Sequence, residues 1–130
     1  MVKIFRRKNT KILKRNKKNK KTKAAQKEED ILYEELARAE SSDKENSIES
    51  YMITIPKGSH THRGSYGHLG RELGIILKGK GCLKYENKEY ILNEGDSASF
   101  SAAVPHVLEN VGDVDLQAIW VVTPAQRFVK

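Results

Sequence analysis

Two imidazoles and one carboxylate in the middle of the chain are the side chains best suited to reactive chemistry. His68 and Glu72 lie four residues apart, and His106 follows after a run of short alternating segments. This is the ligand set of the facial triad, which holds a divalent ion and leaves coordination positions open. On a continuous strand, residues four apart share a face, while a break at Gly70 would put the pair on adjacent strands. Either arrangement could bring His68, Glu72 and His106 to one ion.

Other polar side chains nearby could assist this triad. Tyr66 and Asn110 are candidates to orient the ligands or to contact a bound molecule. His60 and His62 form a His-x-His pair, which either supplies a fourth ligand from a loop or is exposed. The same residues could also bind an organic ligand by hydrogen bonds alone, without a metal. The sequence leaves these alternatives open.

The segments around these residues alternate with a period of two, which is typical of strands. From Ile48 onward we predict one strand that includes Tyr51, Ile53 and Ile55, followed by six more. These six are Leu73–Leu77, Cys82–Tyr85, Glu89–Leu92, Ala98–Phe100, His106–Asn110 and Asp115–Val122. Short strands at this spacing predict a sandwich or barrel. Trp120 lies in the last strand, where it is either an aromatic residue of the core or a residue that stacks on a ligand.

The region before Ile48 has a different composition. Ala24 to Glu40 is rich in Ala and Glu and spaces Ile31, Leu32 and Leu36 as an amphipathic helix does, so we predict a helix there. The polar stretch from Ser41 to Ser47 predicts a loop. The glycines at 64, 67, 70 and 74 match neither phosphate-binding fingerprint and are interpreted as turns.

The first 23 residues carry most of the positive charge. They hold 12 of the 24 Lys and Arg and no acidic residue, whereas residues 24–130 carry 12 basic and 17 acidic side chains, a net charge of −5. So little apolar surface predicts a disordered or helical extension. Weak, sequence-independent contact with nucleic acid is the functional interpretation, and a solvated extension is the alternative.

Composition also indicates the compartment. The lone Cys82 excludes an internal disulfide, and the basic start is not followed by the apolar region of an export signal. The longest apolar runs are far shorter than the ~20 residues that span a bilayer. We therefore expect a cytoplasmic protein without membrane contact.

Two motifs in this chain resemble those of the cupin superfamily. The first motif is matched by His68, Glu72 and Gly79, although Tyr66 stands where cupins have another His. The second is matched by Gly95-Asp96, Pro105-His106 and Asn110 at the end of the predicted strand. The spacing from His68 to Gly74, with Val122-Thr123-Pro124 and Phe128, is most similar to the sensor domain that follows the helix-turn-helix in some regulators.

The resemblance implies an all-β fold, a small double-stranded β-barrel of jelly-roll type. We expect this barrel over residues 48–130, preceded by a basic extension over 1–23 and a helical or irregular lead-in over 24–47. For part of that lead-in the resemblance implies a strand with Tyr33 and Leu36 instead of the helix. It also implies a small-molecule sensor or binding module, regulator-like but without a helix-turn-helix, whose cofactor would be a divalent metal such as Fe, Mn, Zn or Ni.

The alternative function is a small metalloenzyme of the oxygenase, epoxidase or isomerase type. His68, Glu72 and His106 would hold the metal in both cases, with Tyr66, Asn110 and Trp120 near the ligand. Cupins frequently form dimers, and an uncovered edge strand would favour pairing, so a homodimer is also expected.

Overall fold

The fold is all-β and is built from two antiparallel sheets. The computed structural model describes residues 2–7, 25–28, 30–40, 42–61 and 70–125. Apart from one 3₁₀ turn at Lys44–Asn46, its regular elements are strands. The ten strands are β1 (Lys3–Phe5), β2 (Ala25–Glu28), β3 (Ile31–Ala39), β4 (Ile48–Ile55), β5 (Arg71–Lys78), β6 (Gly81–Tyr85), β7 (Lys88–Leu92), β8 (Ser97–Ser101), β9 (His106–Asn110) and β10 (Leu116–Thr123).

The larger sheet has seven strands in the order β1-β8-β5-β10-β4-β3-β2, and the smaller has the order β7-β6-β9. Side chains alternate between buried and exposed along most strands, as in β10, where Leu116, Ala118, Trp120 and Val122 face inward. Both sheets contribute to one hydrophobic core, in which Ile76 and Phe100 of the larger sheet join Leu83 and Leu108 of the smaller. The predicted double-stranded β-barrel is confirmed.

The strands predicted from Ile48 to Val122 are all present, and their ends lie within two residues of the predicted ones. Several turns between these strands contain a glycine with a positive φ angle, for example Gly79 and Gly95, whose φ angles are 90° and 85°. These turns need the left-handed backbone region that glycine enters at little cost. Alternation and turn chemistry therefore agree over this part of the chain.

The helix predicted for residues 24–40 is wrong, because β2 and β3 occupy this region. β3 pairs with β4 from Leu32↔Thr54 to Ala39↔Ile48, and it buries Ile31, Tyr33 and Glu35 on one face. Helix propensities differ by less than about 1 kcal/mol per residue, so the pairing and the burial of a tyrosine outweigh them. The barrel sheet therefore extends into the predicted lead-in.

The basic N-terminal extension is also partly structured. β1 pairs with β8 through Lys3↔Ser99, Ile4↔Ala98 and Phe5↔Ser97, and Ile4 packs against the core. The prediction of a disordered or helical extension is wrong for residues 2–7. Residues 8–23 of that extension lie outside the described residues. Within the described part of the chain, no helix is long and apolar enough to cross a membrane.

Candidate functional site

Three inward-facing side chains from three strands meet on the inner side of the larger sheet. Glu72 lies on β5, Trp120 lies on β10, and His106 is the first residue of β9. Their exposed fractions are 5%, 3% and 6%, so all three are buried. A buried carboxylate needs hydrogen-bond donors or a positive charge, because burial alone disfavours its ionised form.

Two nitrogen atoms face the same oxygen of Glu72. Nε1–H of Trp120 donates to Oε1 over 2.7 Å, and Nε2 of His106 lies 3.2 Å from that oxygen. On its other side, His106 Nδ1 lies 2.8 Å from the Val104 carbonyl oxygen. A carbonyl only accepts, so Nδ1 carries a proton and Nε2 is the nitrogen directed at Glu72.

Aromatic neighbours fix the plane of the His106 ring. Phe100 meets it edge-on with ring centroids 4.6 Å apart, and Tyr85 stacks on it at 6.5 Å. Burial by itself would lower the pKa of His106, but the hydrogen bond to Glu72, its negative charge and the Val104 carbonyl together raise that pKa. The imidazole is thus held in one orientation beside an anionic partner.

A pocket opens next to this group. Its empty space, open mouth included, is about 310 Å³. Most of its walls are aromatic or apolar, and Glu72, His106 and Thr61 supply polar groups. The described residues that line it are Tyr33, Tyr51, Ile53, Thr61, Glu72, His106, Leu108 and Trp120. The described lining therefore combines apolar surface with a few polar groups.

The Glu72–His106 pair also fits a divalent metal. Two ligand atoms at 2.0 to 2.2 Å from one ion lie about 2.8 to 3.6 Å apart in octahedral or tetrahedral geometry. The 3.2 Å between Oε1 and Nε2 falls in that range. The hydrogen bond of Nδ1 to a backbone carbonyl is a common way to orient a metal-ligating histidine. No group of three or more metal-binding side chains occurs among the described residues, and His68 lies outside them.

The other predicted site residues have different positions. Tyr66 and His62 lie outside the described residues. His60 is exposed, forms an isolated bridge with Glu109, and is not one of the described pocket-lining residues. Trp120 lines the pocket and donates a hydrogen bond to Glu72, while its contact with a ligand stays a prediction.

Asn110 does not line the pocket in the described structure but supports a turn. Its side-chain nitrogen donates to the carbonyl oxygens of Ile55 and Val114, each over 2.8 Å, and its Oδ1 accepts from Gly112 N–H at 2.9 Å. Both polar atoms of the amide are thus used by the backbone. The motif position was recognised, but its role is to hold the end of β9.

Sequence reasoning missed three polar or aromatic lining residues. Tyr33 was considered for a lead-in strand but not for the pocket, because a helix was preferred there, and Tyr51 was treated only as an alternating strand residue. Thr61 forms two hydrogen bonds with Leu108. The Thr61 N–H donates to the Leu108 carbonyl oxygen over 2.9 Å, and the Leu108 N–H donates to Thr61 Oγ1 over 3.0 Å. The inward alternation of Tyr51 with Ile53 was the available signal, since residues two apart share a strand face.

Comparison with known families agrees with this geometry. Residues 51–122, more than half of the chain, match the Cupin_2 family, described as a cupin domain. A curated relative, the uncharacterized protein MJ1618 of Methanocaldococcus jannaschii, is 29% identical over 65 residues. That match covers 50% of this chain and 51% of the relative, so the chain spans about half the length of the curated protein that it matches.

Solved structures share the fold at low identity. A cupin 2 domain-containing protein from Halorhodospira halophila aligns over 100% of this chain and 82% of its own, with a TM-score of 0.68 and 11% identity. The Cupin_2 domain of an XRE family transcriptional regulator from Enterobacter cloacae aligns over 72% of this chain and 95% of its own, with a TM-score of 0.64 and 13% identity. At such identities the similarity is one of fold.

Proposed function

The chain belongs to the cupin family, and we propose that its barrel binds a small organic molecule through a divalent metal held by Glu72, His106 and His68. The observation that carries this proposal is the buried contact between Glu72 Oε1 and His106 Nε2, 3.2 Å apart in the wall of an aromatic pocket. Buried carboxylate–imidazole pairs beside a pocket are frequent at functional sites.

Each described residue has a defined task in this proposal. His106 offers Nε2 because Nδ1 is engaged by the Val104 carbonyl, and Glu72 offers Oε1 beside it. When bound, the metal supplies open positions and Lewis acidity for an oxygen or nitrogen donor of the ligand. Tyr33, Tyr51 and Trp120 provide flat apolar surface that excludes water from the bound molecule.

The charge of the pocket limits the ligands that suit it. The described lining residues include a carboxylate and a histidine but no lysine or arginine. A multiply charged anion such as a polyphosphate would therefore meet no lysine or arginine among the described lining residues. A small, uncharged or singly charged molecule with an aromatic or aliphatic body fits this environment better. A sensor role of this kind would parallel the regulator domain whose fold this chain shares.

The test combines metal analysis with ligand screening. The purified protein should contain a divalent metal, and a metabolite library should yield compounds that raise its melting temperature in proportion to the logarithm of their concentration. Replacing Glu72 with Gln keeps the side-chain shape and removes the charge, so both the metal and the thermal shift should be lost. Equal metal content and equal thermal shifts in Glu72→Gln would contradict the proposal.

A small metalloenzyme is the second candidate, and one observation favours it. Glu72 and His106 place two ligand atoms 3.2 Å apart beside the pocket, so a metal held there would keep open positions that face the space where a substrate could enter. Ligands found in the screen should then be consumed on incubation with the metal-loaded protein, with oxygen uptake if iron is bound. Stable ligands recovered unchanged would favour the binding module.

A further inference from the structure

Trp120 and Gly74 lie directly opposite each other on β10 and β5, and their packing bears on Glu72. The chain contains one tryptophan, and its indole lies over the backbone of β5 at Gly74. A Cβ at position 74 would be 2.0 Å from Cζ3, 2.3 Å from Cε3 and 2.5 Å from Cη2 of that ring. Real Cβ atoms do not approach other atoms so closely, so a side chain at residue 74 would displace the indole.

The consequence of this packing is a fixed N–H. With its six-membered ring seated over Gly74, the indole directs Nε1–H at Glu72 Oε1, 2.7 Å away. A hydrogen bond from a neutral donor to a carboxylate is short and strong, especially where both groups are buried. It restrains the rotation of the carboxylate and keeps Oε1 beside His106 Nε2. The sequence-based interpretation of Gly74 as a turn residue is therefore wrong, because it lies inside β5.

We propose that Gly74 and Trp120 act together as positioning residues, holding the Glu72 carboxylate in the orientation that the metal site requires. This inference rests on the proposed metal-dependent function and adds to it the residues that set the affinity. Removing partners that orient a metal ligand typically costs 10- to 100-fold in metal affinity. Loss of the indole N–H, or its displacement by a side chain at residue 74, should weaken binding by about that factor.

The single tryptophan permits a chemically clean test. Expression in a tryptophan auxotroph can replace Trp120 by 3-benzothienylalanine, in which sulfur stands in place of the indole N–H and ring size is nearly unchanged. Ni²⁺ binding is then measured by calorimetry, well below the melting temperature, against the same protein grown with tryptophan. We expect affinity to fall about 10- to 100-fold. A purely packing role for the ring would leave the affinity unchanged, and that result would overturn the proposal.

Glycine substitutions provide an independent arm. Gly74→Ala keeps the tryptophan but displaces its ring, so Ni²⁺ affinity should fall as in the analogue. Gly81→Ala is the matched control, because Gly81 also lies in a strand and its added Cβ would contact only the Leu108 and Leu116 side chains closely, at 3.1 Å each. Its Ni²⁺ affinity should stay within about threefold of the parent, by the ordinary scatter of remote substitutions. Equal losses in both variants would contradict the proposal.

A metal-free readout separates this inference from the proposed function. The lone indole N–H gives one resonance in a ¹⁵N-correlated NMR spectrum. It should exchange slowly with water and move markedly in Glu72→Gln. If the parent protein binds no Ni²⁺, the metal-dependent function fails, and the indole resonance alone decides whether the two residues hold the carboxylate. A resonance unaffected by Glu72→Gln would overturn the positioning role.

Discussion

At the scale of single residues, the orientation of Glu72 depends on partners that reach it from two other strands. Trp120 donates to its Oε1 from β10, and His106 faces the same oxygen from β9. Phe100 on β8 packs edge-on against the His106 ring. Four strands thus contribute to a contact between two side chains, and a pair built on sheets is held more rigidly than one built on loops.

Asn110 gives a residue-scale prediction that separates structure from function. Asn110→Ala would leave the carbonyls of Ile55 and Val114 and the N–H of Gly112 without the amide. Of the three bonds only the one to Ile55 is buried, so losing the amide should cost about 1 to 3 kcal/mol in the free energy of unfolding. Urea denaturation measures this loss. Metal affinity, measured below the lowered melting temperature, should stay unchanged.

The exposed Asn87 is the matched control for this substitution. Asn87→Ala should change the free energy of unfolding by no more than about 0.5 kcal/mol. If Asn110→Ala removed the metal while leaving stability intact, Asn110 would be a site residue, as the sequence suggested.

At the scale of elements, β1 is a short strand that closes the β8 edge of the larger sheet. Only three residues pair with β8, but the chain on either side adds contacts. Asp96 accepts hydrogen bonds from the backbone N–H groups of Asn93 and Arg7 and from the Arg6 guanidinium, over 2.8 to 3.0 Å. The Asp of the second cupin motif is therefore the attachment point of the N-terminus.

Ile4 and Phe5 test the docking of β1. Ile4 is partly buried and packs against the core, whereas Phe5 is 63% exposed. Ile4→Ala should lower the free energy of unfolding by about 1 to 2 kcal/mol, less than a fully buried isoleucine would. Phe5→Ala, the matched control, should change it by about 0.5 kcal/mol or less. Equal effects in urea denaturation would indicate that β1 does not pack as described.

Asp96 gives a pH-dependent prediction. Burial of this carboxyl would raise its pKa, but the N–H groups of Asn93 and Arg7 and the Arg6 guanidinium outweigh burial and lower it. A depressed pKa contributes stability that is complete above the unfolded value of about 3.9 and is lost as pH falls through the folded value. Asp96→Asn should therefore be less stable than the parent at pH 7, and this difference should shrink below about pH 4.

Urea denaturation from about pH 2.5 to about pH 7 would measure the difference in stability between Asp96→Asn and the parent. This range extends to both sides of the unperturbed aspartate pKa of about 3.9. Asp113→Asn is the control, because its side chain is 97% exposed. A difference between Asp96→Asn and the parent that is the same at both ends of the range would contradict the role assigned to Asp96.

Sequence patterns predicted the strands better than the lead-in, for a physical reason. From Ile48 onward alternation, turn glycines and family motifs all agree. Over Ile31–Ala39 both faces carry apolar residues, so a period of two is hidden and the Ala and Glu content favours a helix. The partner strand decides the conformation, and a single segment does not contain that information.

The site was predicted through its ligands but not through its supports. His106 and Glu72 were found because their spacing follows a motif, and the structure brings them together. The role of Gly74 depends on Trp120, which lies opposite on β10 and about 46 residues later in the sequence. The pairing register of the two strands brings these residues together. Tertiary pairings of this kind leave no local pattern.

At the scale of the whole molecule, the two sheets enclose one core, and inward-facing residues of both sheets line the pocket beside Glu72 and His106. The homodimer expected from the sequence stays a prediction, and β1 and β2 are the edge strands of the larger sheet at which a second copy could pair. Contact with nucleic acid also stays a prediction, because residues 8–23, which carry most of the basic charge of the extension, lie outside the described residues.

The central claim is that Glu72 and His106 hold a divalent metal beside Trp120. Because the single tryptophan donates to Glu72, Ni²⁺ bound there should quench the intrinsic tryptophan fluorescence with a saturable, one-site dependence on concentration. His106→Ala should lose this saturable quenching, since two remaining ligands rarely retain a divalent ion against buffer. The exposed histidine provides the control, so His60→Ala should titrate like the parent. Saturable quenching of equal affinity in His106→Ala, or its loss in His60→Ala, would contradict the assignment.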